Sequence, residues 1–436
     1  MAKGDKTVET ADRTSREKQE AGALVSPPAA LADSRDGQPG WIDPDMDFIR
    51  VLSRQSGDSL KKCIQCGTCS AICELSPDPK PFPRKEMAWA VWGMKDRLLK
   101  DPDVWLCHQC NDCSTRCPRG ARPGDVLAAI RQQSVARYAV PRFLARWANE
   151  PYCVPLLLGI PIALLTVVLY IGNSLGVPQP SRERIIFPFC NKLPHWLLNV
   201  SFAVVGILVL AAVVAGAMRF WRAMMIADGR DGAALPAKSP PARIVAALKI
   251  AVPVLWSIIA HDDFAKCTKT RLRFYSHLSV LFGFLALSLV AVWVVTAKVN
   301  PLIPDGLIYP FGFWHPWKLL ANLGGVAILA GCLWMVVDRV RDNEHSGAFS
   351  DWTLIVTLLA VVVTGFIAEI LHFVRLEPHR HVAYFTHLVF VLTLLMYLPY
   401  SKLAHIVYRT TALIYAEYSG RNGKNTARTA GREEES

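Results

Sequence analysis

The sequence predicts an all-α protein in which a small, cysteine-rich helical domain is followed by a bundle of about six membrane-spanning helices. Eight of the twelve cysteines form two copies of one spacing, and the segments around them have helical periodicity. Six later segments stay apolar over the roughly 20 residues that a bilayer crossing needs. Hydrophobic residues make up 52% of the 436 residues while the net charge is +12. This combination indicates basic loops beside a membrane and argues against nucleic-acid binding.

The composition divides the chain into five segments. The first is rich in charged and small residues with little to bury, so we expect it to be disordered. The expected boundaries are 1–40 for this tail, 41–140 for the cysteine-rich domain, 141–152 for a linker, 153–410 for the membrane domain and 411–436 for a basic polar tail.

Both cysteine runs read C-x2-C-x2-C-x3-C, in the segments CIQCGTCSAIC and CHQCNDCSTRCP. This is the ligand run of bacterial ferredoxins, in which three cysteines hold one [4Fe–4S] cluster and the fourth ligates the other cluster. We therefore expect two [4Fe–4S] clusters with crossed ligation. The first would be held by Cys63, Cys66, Cys69 and Cys117, and the second by Cys107, Cys110, Cys113 and Cys73.

Two other uses of these cysteines fit the sequence less well. Structural zinc needs only two C-x2-C pairs for each site, which would leave the third and fourth cysteines of each run surplus. Disulfides are disfavoured because no cleavable signal peptide is recognisable. The four remaining cysteines are scattered and are interpreted as small apolar fillers: Cys153, Cys190, Cys267 and Cys332.

Helices, not β-hairpins, are predicted around the cysteine runs. Between the runs, Met87, Val91, Met94 and Leu98 recur at helical spacing. A second helix is expected over 125–138 and a short one over 45–55. A small two-cluster ferredoxin would place strands here, so the pattern is typical of an α-helical ferredoxin domain.

The membrane segments are predicted at 153–176, 198–219, 275–297, 318–337, 353–373 and 383–408. The segment 242–260 is apolar but interrupted by Lys249 and Pro253, so we interpret it as an interfacial helix, with a seventh span as the alternative. Ten Lys and Arg residues lie from Arg219, the last residue of the second span, to the start of the third, and three lie between the first and second spans. This bias predicts both termini, and the cysteine-rich domain, on the cytoplasmic side of the inner membrane.

Histidines inside membrane spans are functional candidates. His387 and His405 are 18 residues apart on the predicted last span, which places them on one face and about 27 Å apart along the axis. This spacing suits two b-type haems, each needing a second histidine from another helix. Depth matching pairs His277 with His405 and His372 with His387; His195, His315, His379 and His381 are competitors of His372. The alternative is that each histidine is an ordinary hydrogen-bonded interface residue.

Residues 41–137, with the two cysteine runs and the segment WLCHQCNDCSTRCPRGARPGDVLAAIR, resemble the C-type iron–sulfur subunit of heterodisulfide reductase. The membrane half resembles the cytochrome b family that includes the nitrate reductase gamma subunit. A fusion of both is similar to the C-type subunit of the quinone-interacting membrane-bound oxidoreductase complex. Span three carries only His277, whereas two histidines on an early helix are usual in the gamma subunits, so one or two haems b remain possible.

The resemblance implies electron transfer between menaquinone and two soluble flavin- and iron–sulfur-containing partners like the A-type subunit of heterodisulfide reductase, linked to adenylylsulfate reductase. Glu369, one helical turn before His372, is a candidate proton acceptor for quinone chemistry, or else an interfacial carboxylate. No G-x-G-x-x-G fingerprint follows a strand, so flavin chemistry is expected on other subunits. Two alternatives stay open: a membrane subunit of a heterodisulfide reductase-like or sulfite-reduction-linked complex, and a membrane-anchored iron–sulfur redox sensor without haem.

Overall fold

The computed structural model describes residues 43–77, 80–174, 195–230, 240–260, 271–299, 311–341, 349–376 and 378–421. The regular elements within these ranges are all helices, which confirms the predicted all-α fold. The predicted tail 1–40, Cys190 and Cys267 lie outside the described residues.

The cysteine-rich domain is a cluster of short helices packed around one longer helix, α8. Leu52, Met87, Leu98, Trp105 and Ile130 are fully or almost fully buried in its core. Helix α8 begins with Pro123, a position where the missing amide hydrogen costs no helical bond. The helices are α1 Met46–Ser56, α2 Ser59–Lys62, α3 Thr68–Ile72, α4 Arg84–Val91, α5 Lys95–Lys100, α6 Asp103–Leu106, α7 Asp112–Thr115 and α8 Pro123–Tyr138.

Six described helices are long and apolar enough to cross a membrane, as predicted. The helices after α8 are α9 Arg142–Trp147, α10 Val154–Ser174, α11 His195–Ala227, α12 Pro240–Ala260, α13 Arg271–Val299, α14 Pro316–Arg341, α15 Phe349–Val374, α16 His379–Tyr397 and α17 Ala404–Tyr418. The candidate spans are α10, α11, α13, α14, α15 and α16.

Helix α12 matches the segment interpreted as interfacial. It packs against α17, and its apolar part, Val245–Ala260, is shorter than the six candidate spans. It is therefore not counted among the spans.

Helix α11 is longer than the predicted span 198–219. Its last two turns carry Phe220, Ala223 and Met224, which are buried in the same core as Trp105 and Tyr138 of the cysteine-rich domain. These residues are apolar because they pack against the cysteine-rich domain, and not because they face lipid. One helix therefore joins the membrane bundle to the cysteine-rich domain, at what we call the near end of the bundle.

The predicted single span 383–408 is wrong, because the structure divides it into α16 and α17. Pro399 follows the last residue of α16 by two positions, and proline can neither donate the helical hydrogen bond nor fit the preceding turn. Tyr397 and Tyr400 fix the break: their hydroxyls donate to the carbonyl oxygens of Leu157 and Val140, at 2.9 and 2.6 Å. His387 and His405 therefore lie on different helices.

Helices lie across the predicted boundaries on either side of the membrane domain. The linker 141–152 contains α9, and its Ala145 and Ala148 pack in one buried cluster with Tyr397. The expected polar tail begins at 411, but α17 continues to Tyr418 with buried apolar positions. These apolar residues recur at helical spacing, so the helix continues past 411 although the segment after it is charged.

Candidate functional site

The two cysteine loops have the same unusual backbone. Gln65 and Gly67 in the first loop have φ of 59° and 84°, and the equivalent Gln109 and Asn111 in the second have φ of 55° and 67°. Left-handed residues at alternate positions curl a short chain tightly, and glycine and asparagine tolerate this conformation best. Each loop can therefore turn three thiols toward one centre.

The thiols are grouped across the two sequence motifs. Cys63, Cys66, Cys69 and Cys117 line one pocket. The other four are close enough to influence one another electrostatically, since Cys107 and Cys110 add to the effect of burial in raising the pKa of both Cys73 and Cys113. The structure thus brings together the two crossed sets of four that the sequence predicts.

The chemistry of these thiols fits an iron–sulfur cluster in each set. Burial, with the neighbouring sulfurs, raises the pKa of Cys69 to about 11. It raises that of Cys73 to about 12, so both would be protonated without a compensating positive charge. Iron provides that charge and binds the thiolate forms. Clusters in these sets would supply one-electron transfer.

The protein also places hydrogen-bond donors on the sulfurs, which is one way of tuning a cluster potential. The Gln65 side chain donates to Sγ of Cys63 at 3.2 Å. The backbone amides of Gln109 and Ala121 donate to Sγ of Cys107 and of Cys117, both at 3.3 Å.

The first loop lies at the surface of the domain. Cys66 is exposed, and the side chain of Ile64 beside it is 59% exposed. An apolar side chain in water next to a cluster ligand is a feature that a partner protein could cover.

The second loop faces the near end of the bundle. His108, at the position equivalent to Ile64, has its Nε2 2.5 Å from Nη2 of Arg409 on α17. Arg131 on α8 supports the loop by donating to the carbonyl oxygens of Val104 and Cys107, at 3.2 and 2.9 Å. The second cluster set therefore lies between α8 and the helix that follows the membrane spans.

A cavity of about 350 Å³ lies between the second loop and the near end. Its lining combines Cys110 and Trp105 from the cysteine-rich domain with residues from the ends of α14 and α15, the break after α16 and the start of α17. Among these are Arg339, Asp351 and His405. Asp351 bonds to Nη2 of Arg339 at 3.0 Å and also pairs with Lys402. This cavity is where the cluster domain, the membrane helices and a candidate histidine meet.

His405 is the candidate histidine whose surroundings fit its predicted role best. Its Nδ1 lies 2.6 Å from the carbonyl oxygen of Lys402, which leaves Nε2 as the ligating atom. Burial lowers the pKa of His405 to about 3, so the imidazole is neutral, and His277 is among the groups that act on it electrostatically. The structure therefore brings His277 and His405 near each other on α13 and α17.

His372 and His387 are not placed at one depth. The ring of His387 lies against Gly365 of α15, and its Nδ1 is 3.1 Å from the carbonyl oxygen of Val361. His372 is seven residues farther along α15 than Gly365, about 10 Å along the axis. The two helices are antiparallel and joined by a short turn. His372 lies close to that turn and His387 lies farther from it, so the two residues are offset along the helices.

Glu369 is paired with another helix of the bundle. Its carboxylate lies 2.9 Å from Nζ of Lys318 and accepts from Nδ2 of Asn322 at 3.1 Å, both on α14. This pairing favours the interfacial carboxylate over the proton acceptor among the two alternatives for this residue.

The sequence reasoning missed a buried ionic cluster behind the second loop. Arg421 lies 3.2 and 3.1 Å from Asp101 and Asp103, and 2.7 Å from Asp228 at the end of α11. Lys85 lies 2.9 and 2.6 Å from Asp101 and Asp103. The signal that could have revealed it is the acidic pair in DPDVWLC, directly before the second cysteine run. This cluster fixes α6 to the membrane domain and the C-terminal helix.

Comparison with known proteins assigns families to both halves of the chain. Residues 59–121 match the 4Fe-4S dicluster domain, and residues 187–427, more than half of the chain, match the citrate utilization protein B family. The predicted fusion of an iron–sulfur domain, like that of the C-type heterodisulfide reductase subunits, with a membrane domain is confirmed.

Individual relatives follow the same division. Citrate utilization protein B of Escherichia coli is 25% identical over 401 residues, covering 88% of this chain and 94% of the relative. The C-type subunit of the H2:CoB-CoM heterodisulfide, ferredoxin reductase of Methanothermobacter marburgensis is 31% identical over 141 residues, 32% of this chain and 75% of the relative.

Proposed function

Because the chain belongs to the citrate utilization protein B family and joins an electron-transfer domain of the heterodisulfide reductase C type to a membrane domain, we propose that it carries electrons between quinone and a soluble redox partner. The observation that supports this most directly is the orientation of the two cysteine loops. The first loop is open to solvent, and the second faces the membrane helices.

In this proposal the two thiol sets hold two one-electron carriers in series. Oxidation of one quinol to quinone releases two protons and two electrons, and the electrons pass singly to the partner. Reduction of quinone is the reverse reaction. Arg131 positions the second loop, and the donors from Gln65, Gln109 and Ala121 tune the sulfurs.

We also propose a b-type haem between His277 and His405, supported by their proximity and by the neutral, oriented imidazole of His405. Arg409, four residues after His405, could pair with a haem propionate. A second haem at His387 has weaker support, because His372 lies about two helical turns away from it along α15.

The soluble partner is proposed to be a flavoprotein in the cytoplasm. The relative that covers 88% of the chain is named for citrate utilisation, which favours a partner acting on a citrate-like carboxylate. The similarity to the C-type subunits of heterodisulfide reductase supports the alternative, flavin- and iron–sulfur-containing partners like the A-type subunit of that enzyme, linked to adenylylsulfate reductase.

The proposal can be tested on the purified full chain in detergent. We expect menadiol to reduce the clusters, measured by electron paramagnetic resonance, and a reduced-minus-oxidised spectrum to show b-type bands. His405→Ala should remove a b-type contribution, with His345→Ala, at a histidine outside the predicted spans, as the control. A wild-type protein with full cluster content that menadiol cannot reduce would overturn the quinone assignment, and absent b-type bands would overturn the haem assignment alone.

A further inference from the structure

The 350 Å³ cavity at the near end is lined by side chains from both the cysteine-rich domain and the membrane helices. We infer that it binds the quinone head group, between the second cysteine loop and the break after α16. This inference rests on the proposed function and gives that function a location. It differs from a site at the opposite end of the bundle, where Glu369 and His372 lie.

The indole of Trp105 supplies the first argument. Trp105 is only 2% exposed, lines the cavity, and its Nε1 has no hydrogen-bond partner. The ring is held by Tyr408, stacked at 5.7 Å, and by Phe220 at 6.0 Å. A buried donor that lacks an acceptor costs free energy, and a small movement of the indole toward a ligand oxygen in the cavity would remove this cost.

A second buried donor belongs to another residue of the same lining. Nη2 of Arg339 bonds to Asp351, but Nη1 of Arg339 is buried without a hydrogen-bond partner. A quinone carries two carbonyl oxygens, each an acceptor, on an apolar ring. The two donors and the apolar side chains of Met335 and Val135 around the cavity suit that combination.

The charges of the lining favour a neutral ligand. Three carboxylates and three cations line the cavity, so neither an anion nor a cation is selected. They are Asp125, Asp338 and Asp351, and Arg131, Arg339 and Lys402. His405 lines the cavity and His277 does not, so the haem proposed between them would border the cavity and not fill it.

The position and size of the cavity also suit a quinone. Its volume is at the lower end of the roughly 300–1,000 Å³ of small-molecule pockets, which often lie at domain interfaces. The lining from α14 and α15 comes from the ends of two candidate spans. A head group there would meet Cys110 of the second thiol set, while its isoprenoid tail could stay among the membrane helices.

The test uses the full chain with its clusters loaded and menadione as the probe. Trp105→Phe keeps the ring and removes the N–H, and we expect about tenfold weaker menadione binding by equilibrium dialysis. Trp92→Phe, at an exposed tryptophan of the same domain, should leave the affinity unchanged. Ala128→Leu, which fills the cavity from α8, should abolish binding, and Ala136→Leu on the same helix should not.

Photolabelling with an azidonaphthoquinone provides a readout that does not depend on these substitutions. We expect label within 335–339 or 400–405, competed by menadione. Label at 369–380, or unchanged affinity in both cavity variants with iron content retained, would overturn the location. If menadiol still reduces the wild-type clusters in that case, the proposed function stands without this site. If the wild type neither binds menadione nor is reduced by menadiol, the proposed function fails as well.

Discussion

The two cysteine loops share a spacing and a backbone but have opposite surroundings. The first carries an exposed Ile64 beside an exposed cluster ligand, whereas the second carries His108 against Arg409 and lies beside a cavity. The ligands make the two loops equivalent as cluster holders, and the residues between the ligands make them different. The difference fits the proposal that one loop serves a soluble partner and the other serves the membrane.

The largest expected effect comes from removing ligands in pairs. If ligation is crossed, the double substitution Cys63→Ser with Cys117→Ser affects one cluster and should leave about four of about eight iron atoms per chain. The double substitution Cys63→Ser with Cys73→Ser should then remove both clusters. Iron and labile-sulfide analysis measures each outcome, with Cys153→Ala, at a buried cysteine outside the motifs, as the control. The opposite result for the two pairs would mean that each motif holds its own cluster.

Arg421→Ala should loosen the support behind the second loop. Its guanidinium is 9% exposed and compensates Asp101, Asp103 and Asp228, so its removal should cost about 3–5 kcal/mol of stability. Thermal unfolding in detergent measures the loss, and Arg137→Ala, at an exposed arginine of α8, should have little effect. Equal unfolding midpoints for the two variants would show that the ionic cluster does not support the loop.

Ile64→Asp should affect only the exposed loop. We expect about tenfold slower electron transfer to the soluble partner, since a charge replaces an apolar contact at an interface centre. Reduction of the clusters by menadiol should keep its wild-type rate. Met46→Asp places the same charge at another exposed apolar position of the domain. A slower reaction with menadiol would mean that Ile64 supports the cluster and not the docking of a partner.

Glu86→Gln should change the pH dependence of stability behind the second loop. Burial, with the neighbouring Asp101, raises the pKa of Glu86 from 4.5 to about 8, so the folded protein retains a proton that the unfolded chain releases. Stability therefore falls as the pH rises from about 4.5 to about 8. The glutamine variant should be more stable at pH 8, on the order of 1 kcal/mol, and similar at pH 5. Unfolding midpoints at the two pH values test this, and a gain at pH 5 alone would contradict it.

Glu369→Gln has the smallest expected effect. With the quinone at the near end, the change should keep menadiol oxidation within about threefold, because Glu369 serves Lys318 and Asn322. Stopped-flow kinetics with equal haem content measures it. A much slower reaction would place quinone chemistry at the other end and revive the proton-acceptor role.

Local signals in the sequence predicted the elements of this protein better than their junctions. The cysteine spacing identified eight candidate ligands, and hydropathy identified six spans, because both properties depend on neighbouring residues. The last span was predicted too long, although Pro399 was visible, because apolar residues continue beyond it. Trp105 and Arg421 gave no local signal, since their roles depend on contacts made across 100 or more residues of chain.

Helix α11 passes from the membrane bundle into the core of the cysteine-rich domain, and α17 packs beside it. A carrier domain built this way has no tether on which to swing between two docking positions. Electrons must then cross a fixed set of gaps, and the distance between the membrane and the exposed first loop is set when the chain folds. Under the proposed function a soluble partner would have to travel to that loop, so solvent viscosity should slow its reaction and leave the quinone reaction unaffected.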